Sequence, residues 1–97
     1  MSISFDSKVR VPADVLVSEL DGESVLLKLQ SECYFGLDEI GTRIWELLLS
    51  SDSIERAYES VLSEFDVDPN QFRADLTELV DSLVQQGLIE VAASPHL

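Results

Sequence analysis

Residues 24–48, SVLLKLQSECYFGLDEIGTRIWELL, constrain this chain more than any other stretch. Val25-Leu26-Leu27-Lys28-Leu29 is an apolar run broken by one lysine and short enough for a strand. Gln30-Ser31-Glu32 carries turn chemistry, and Cys33-Tyr34-Phe35-Gly36-Leu37 is aromatic and apolar again, the pattern of a hairpin. A two-residue turn at Ser31-Glu32 sets Leu29 opposite Tyr34 and Lys28 opposite Phe35. Leu26 and Leu37 then share the Lys28/Phe35 face, while Val25, Leu27, Leu29 and Tyr34 share the other. A bulged turn would move this register by one residue. Both faces come out apolar, which one packed helix layer does not account for.

Upstream, residues 1–14 read as an extended arm or loosely attached lead-in. Val15-Leu16-Val17-Ser18-Glu19-Leu20 is rich in strand formers, and Asp21-Gly22 is a hairpin turn because both residues tolerate positive φ. The first 37 residues therefore read as a three-stranded antiparallel meander. Downstream, Asp38 caps a helix with Ile40, Ile44, Trp45, Leu47 and Leu48 on one apolar face. Gly41 inside it costs about 1 kcal/mol against Ala, which implies a close contact. Asp52 and Glu55 form a capping box for a second helix with Ile54, Ala57, Tyr58, Val61, Leu62 and Phe65 at core spacing. The third helix begins at Asp68-Pro69, with Gln71 completing a capping box and Val67 stapling onto Phe72. Its stripe runs through Leu76, Leu79, Val80, Leu83 and Val84 to a Gly87 stop, where Leu88 folds back. Residues 88–91 add a short strand or cover the core, and 92–97 read as a frayed tail. Three strands followed by three helices give an α+β, winged-helix-like domain. Residues 1–97 form a single domain, with 1–10 and 92–97 flexible.

Several functions are disfavoured. Nineteen acidic residues against six basic ones give a formal charge of −13, which repels phosphate backbones and anionic membranes. Any use of that charge beyond solubility favours cationic partners such as a Lys/Arg-bearing peptide. No apolar run approaches the roughly 20 residues of a membrane span, and the N-terminus is no signal peptide. The lone Cys33 has no internal disulfide partner, which fits a reduced, cytoplasmic protein. The single histidine, His96, lies in the tail, so no Ser-His-Asp or Cys-His arrangement is at hand. Asp66-Val67-Asp68-Pro69-Asn70 opens like a calcium loop but lacks its glycine and closing glutamate. Trp45 and Tyr58 sit at core spacing, where ordinary packing explains them better than a ligand pocket does. No cofactor, metal site or catalytic activity is expected.

What remains is an edge. In a three-strand meander the third strand pairs on one side only, and its other side presents free N–H and C=O groups. No Lys or Pro guards residues 33–37. A helix packed alongside would make that edge a groove that binds an extended peptide by main-chain pairing. The alternative is an edge covered by residues 1–14 or by a homodimer mate, and the pattern alone leaves both open.

Tyr34-Phe35-Gly36-Leu37-Asp38-Glu39-Ile40-Gly41-Thr42-Arg43-Ile44-Trp45-Glu46-Leu47-Leu48 resembles the PqqD-like family signature Tyr-aromatic-x-Leu-Asn/Asp-x-x-Gly-x-x-Ile-Trp-x-Leu. The strand from Val25 to Leu29 and the LVQQGLIE stretch at 83–90 are also similar to that family, so the likeness covers about residues 11–91. Such resemblance implies a RiPP precursor peptide recognition element: a winged-helix-like module that binds the leader segment of a ribosomally made precursor as an added strand. The leader would lie between the third strand and the last helix and be presented to a modifying enzyme or leader peptidase. Free-standing members of this length look like the leader-binding proteins of lasso peptide biosynthesis. The founding branch serves as a peptide chaperone for a radical SAM enzyme in pyrroloquinoline quinone synthesis. On this chain the implied contacts are Glu32, Cys33, Tyr34, Phe35 and Gly36 from the third strand. From the last helix they are some of Phe72, Asp75, Leu76, Leu79, Val80 and Leu83, with Asp75 and Glu78 able to meet leader Lys or Arg. The rivals are a DNA-binding winged helix, which the charge opposes, and a self-associating module.

Overall fold

The computed structural model describes residues 4–92. Eight elements follow in order: β1 (Lys8–Arg10), β2 (Val15–Leu20), β3 (Glu23–Lys28), β4 (Cys33–Leu37), α1 (Glu39–Ser50), α2 (Ile54–Glu64), α3 (Pro69–Gln85) and β5 (Glu90–Ala92). The expected meander is β2-β3-β4, antiparallel throughout, and the three helices follow it. A second, two-stranded sheet joins β1 to β5.

Local chemistry explains the tight turns. Asp21 and Gly22 take φ of 56° and 83°, the doubly positive turn that an Asp-Gly pair favours. The β3–β4 connection differs from the two-residue turn expected at Ser31-Glu32. Lys28 pairs with Cys33, Leu27 with Tyr34 and Leu26 with Phe35, so residues 29–32 form a four-residue loop. Glu32 closes it with φ +57°, its N–H donating to Lys28 O at 2.7 Å. The pairing is displaced by two residues, an even number, so the side chains keep the expected faces.

One face of the meander packs on the helices: Leu26 and Leu37 are buried, and Ser24 meets the α1 hydroxyl of Thr42 at 2.7 Å. Gly41 is tight for a related reason. A methyl group there would lie 3.3 Å from the Leu37 side chain of β4 and 3.1 Å from the capping Asp38 carboxylate. Trp45, Leu48, Ile54, Val61, Leu76, Val80 and Leu83 fill the core. Ile40 is the exception on the α1 face, left 56% exposed in the first turn.

Other local expectations need correction. Ser53, not Asp52, caps α2, its hydroxyl accepting from the Arg56 N–H. Gln71 reaches forward to Asp75 rather than back to the Asp68 cap. The lead-in is tied down rather than loose. Ser7 and Phe5 carbonyls accept the first N–H groups of α2, from Ile54 and Glu55 at 2.8 Å each, and Val9, paired with Val91 of β5, is buried. These bonds satisfy amides that a helix start otherwise leaves orphaned. The expected frayed tail lies outside the described residues from 93 onward, with His96 in it, as do residues 1–3.

Candidate peptide-binding edge

β4 is the last strand of its sheet, and among the described residues no strand pairs with its outer side. The segment that could have covered it, residues 8–10, pairs with β5 instead. Strand geometry then leaves alternate N–H and C=O groups of β4 pointing outward. Cys33, Tyr34 and Gly36 are exposed and Phe35 is half-buried against the core. Glu32, at the head of the strand, is exposed as well.

The last helix, α3, is the element that the family resemblance sets beside this edge. Its start is fixed by Asp68, whose carboxylate accepts from the Asn70 N–H, with Pro69 in the first turn. Its end is fixed by Gly87 at φ +73° and by Leu88, whose N–H donates to Leu83 O at 2.9 Å. A methyl group on Gly87 would sit 3.2 Å from the Lys28 side chain. Lys28 pairs with Cys33, so the Gly87 turn that follows α3 lies beside the loop end of the β3–β4 hairpin. Lys28 is itself held by Asp14 at 3.0 Å.

Phe72, Leu76, Val80 and Leu83 all face inward and are buried. Phe72 stacks on Tyr58, whose hydroxyl donates to Pro69 O at 3.0 Å; Tyr58 and Trp45 are thus packing residues. Leu79 is only partly buried and Asp75 is exposed. Arg73 marks the flank of α3 that meets α2. Its guanidinium lies 4.0 Å from the centre of the Phe5 ring, near the Tyr58 ring, and bonds to Glu55. The Glu55 hydrogen bond holds the Arg73 pKa above its ordinary value, partly opposed by desolvation. Leu79 lies about 120° around the helix from Arg73 and two turns on from Phe72, at the margin of the buried stripe, with Asp75 one turn before it. Arg73's place between Phe5 and Tyr58 was not legible in the sequence, because Phe5 lies 68 positions from it.

Cys33 Sγ is exposed and directed to Ser31 O at 3.7 Å, and no cluster of three or more His, Cys, Asp or Glu is placed to hold a metal among the described residues. No described helix is long and apolar enough to cross a membrane.

The profile of the family described as Coenzyme PQQ synthesis protein D (PqqD) matches residues 23–89. A search of curated proteins finds no match. Two solved structures share the fold. One, described as TbiB1 in complex with the TbiA(beta) leader peptide, is 34% identical with a TM-score of 0.77, covering 84% of this chain and 94% of that one. The other, lasso peptide synthetase B1 complexed with the leader peptide, is 26% identical with a TM-score of 0.76, covering 86% and 98%.

Proposed function

The chain belongs to the PqqD family, and from that premise we propose that it binds the leader of a ribosomally made precursor peptide as an added strand on β4. It acts without catalysing a reaction itself, presenting the leader to a modifying enzyme or leader peptidase in the cytoplasm. The observation that supports this reading is the outer edge of β4, unpaired among the described residues, in a fold shared with two chains that hold leader peptides. The neighbour described as a lasso peptide synthetase favours a lasso-type pathway; the family's name alone favours pyrroloquinoline quinone-type synthesis, the branch in which the resemblance implies service to a radical SAM enzyme. Main-chain pairing to residues 32–36 supplies affinity, and Leu79 with Asp75 supplies the side-chain wall. Phe72, Leu76, Val80 and Leu83, closed off from solvent, back that wall from within. Affinity in the micromolar to nanomolar range, about −8 to −12 kcal/mol, is expected.

The test is an amide-shift titration with the leader of the chain's own precursor, and with the TbiA(beta) leader as a second probe. Shifts confined to β4 and α3 are expected. N-methylation along the leader should abolish binding at alternate positions, because only every second amide of an added strand meets β4. Shifts centred on α1 or α2, or an N-methyl scan with no two-residue period, would overturn the reading. Sedimentation giving a dimer that dissociates when β4 is altered would assign the edge to a homodimer mate instead.

A further inference from the structure

The meander has a second surface that the peptide-binding reading leaves unused. The paired residues Leu16, Leu27 and Tyr34 form one row across all three strands, on the face turned away from the helices. Val25 and Leu20 extend the patch on the same face. Leu16, Leu20 and Tyr34 are 53%, 77% and 70% exposed. Gly36, paired with Val25, leaves open space beside it, since nothing lies within 4 Å of where its side chain would begin. Both residues border an open depression of about 780 Å³ next to the Asp21-Gly22 turn. Contiguous apolar surface of this kind marks an interaction site more often than chance exposure.

The charge around the patch selects its occupant. Asp21, Glu23, Asp38 and Glu39 line the depression beside Leu20 and Val25, and Glu32 stands two residues before Tyr34. Residues 15–39 hold one cation, Lys28, which is paired with Cys33 on the helix side and bonded to Asp14. A second copy of this chain would bring acidic rim against acidic rim, an arrangement that weakens association. A partner with an apolar centre ringed by Lys and Arg fits instead. The patch is also continuous with β4 through Tyr34, so a protein seated on it lies directly beside a peptide on the strand's edge.

We propose that this outer sheet face docks the enzyme that processes the bound leader, through an apolar contact framed by that enzyme's basic residues. The proposal rests on the leader-binding reading, and two separate titrations keep their failures apart. The full chain is titrated with its leader peptide, and independently with the leader-modifying enzyme from the same gene cluster in the absence of leader. L16D/L20D lies on β2, away from the β4 edge, and both side chains are exposed, so folding and leader affinity should be unchanged. Enzyme affinity should fall about tenfold or more, as expected when apolar anchors at an interface centre are lost. Glu23→Lys, on the rim, should weaken the enzyme complex and reduce its salt dependence. Enzyme affinity unchanged by both variants, or an enzyme that does not bind the wild-type chain, overturns the docking proposal. So does a wild-type dimer that L16D/L20D converts to monomer. A leader that fails to bind overturns the peptide reading alone, because the enzyme titration is read without it.

Discussion

Leu76 and Leu79 stand three positions apart on one helix and should answer substitution in different ways. Leu76 is 1% exposed, so Leu76→Ala should cost about 2–5 kcal/mol through lost transfer energy and a cavity, measured as a lowered urea midpoint. Leu79 packs on the core only in part. Leu79→Glu should change stability by about 1 kcal/mol or less while weakening leader binding about tenfold, followed by calorimetric titration. A Leu79→Glu protein that melts early yet binds normally would place Leu79 in the core. The Ser24–Thr42 hydroxyl pair offers a third residue-scale test. Thr42→Val strands the buried Ser24 hydroxyl, at a cost of about 1–3 kcal/mol. Replacing both hydroxyls, with Ser24→Ala added, should recover part of that loss in a double-mutant cycle.

Between elements, α1 and α2 are tied by Arg43, which meets Glu64 at 2.8 Å and Glu46 at 3.3 Å. The Arg43 hydrogen bond holds the Glu64 carboxyl below its ordinary value of 4.5, against some desolvation. A lowered folded-state pKa contributes stability above the unfolded value and loses it as pH falls below about 4.5 through the depressed pKa. Glu64→Gln should therefore flatten the acid limb of the stability curve in that window and leave its shape near pH 7 little changed, as read by urea midpoints across pH. The pair is exposed, so the effect is small and should shrink further in salt.

Elements of this kind were legible to the degree that their signals are local. The Asp21-Gly22 turn, the Asp38 and Asp68 caps and the Gly87 stop each depend on neighbours within a few residues, and each forms as the sequence implies. The β3–β4 loop was misjudged by two residues because its left-handed position is filled by Glu32, a residue that carries no such signal. The β1–β5 pairing joins positions about 80 apart, beyond the reach of any periodicity. The α3 stripe announced that Phe72, Leu76, Val80 and Leu83 are apolar on one side. Periodicity alone does not say whether core or groove takes that side, and here the core does. The apolar outer face of the meander was visible as the surplus of apolar positions in both registers, although its partner was not.

At the scale of the whole molecule, the formal charge of −13 sets which polymers can approach. The chain should pass unretained over heparin at about 0.1 M salt, where surface charges still act across about 10 Å; retention would revive the DNA-binding alternative. The small β1–β5 sheet has a different bearing. Its strands run side by side, Lys8 against Ala92 and Arg10 against Glu90, with Arg10 bonded to Glu90 at 2.7 Å. Chain therefore enters and leaves the domain through one doorway, and β4 takes no part in its frame. A unit built this way can be spliced into a surface loop of a larger enzyme, or circularly permuted across a short linker, with its receptor strand left as it was.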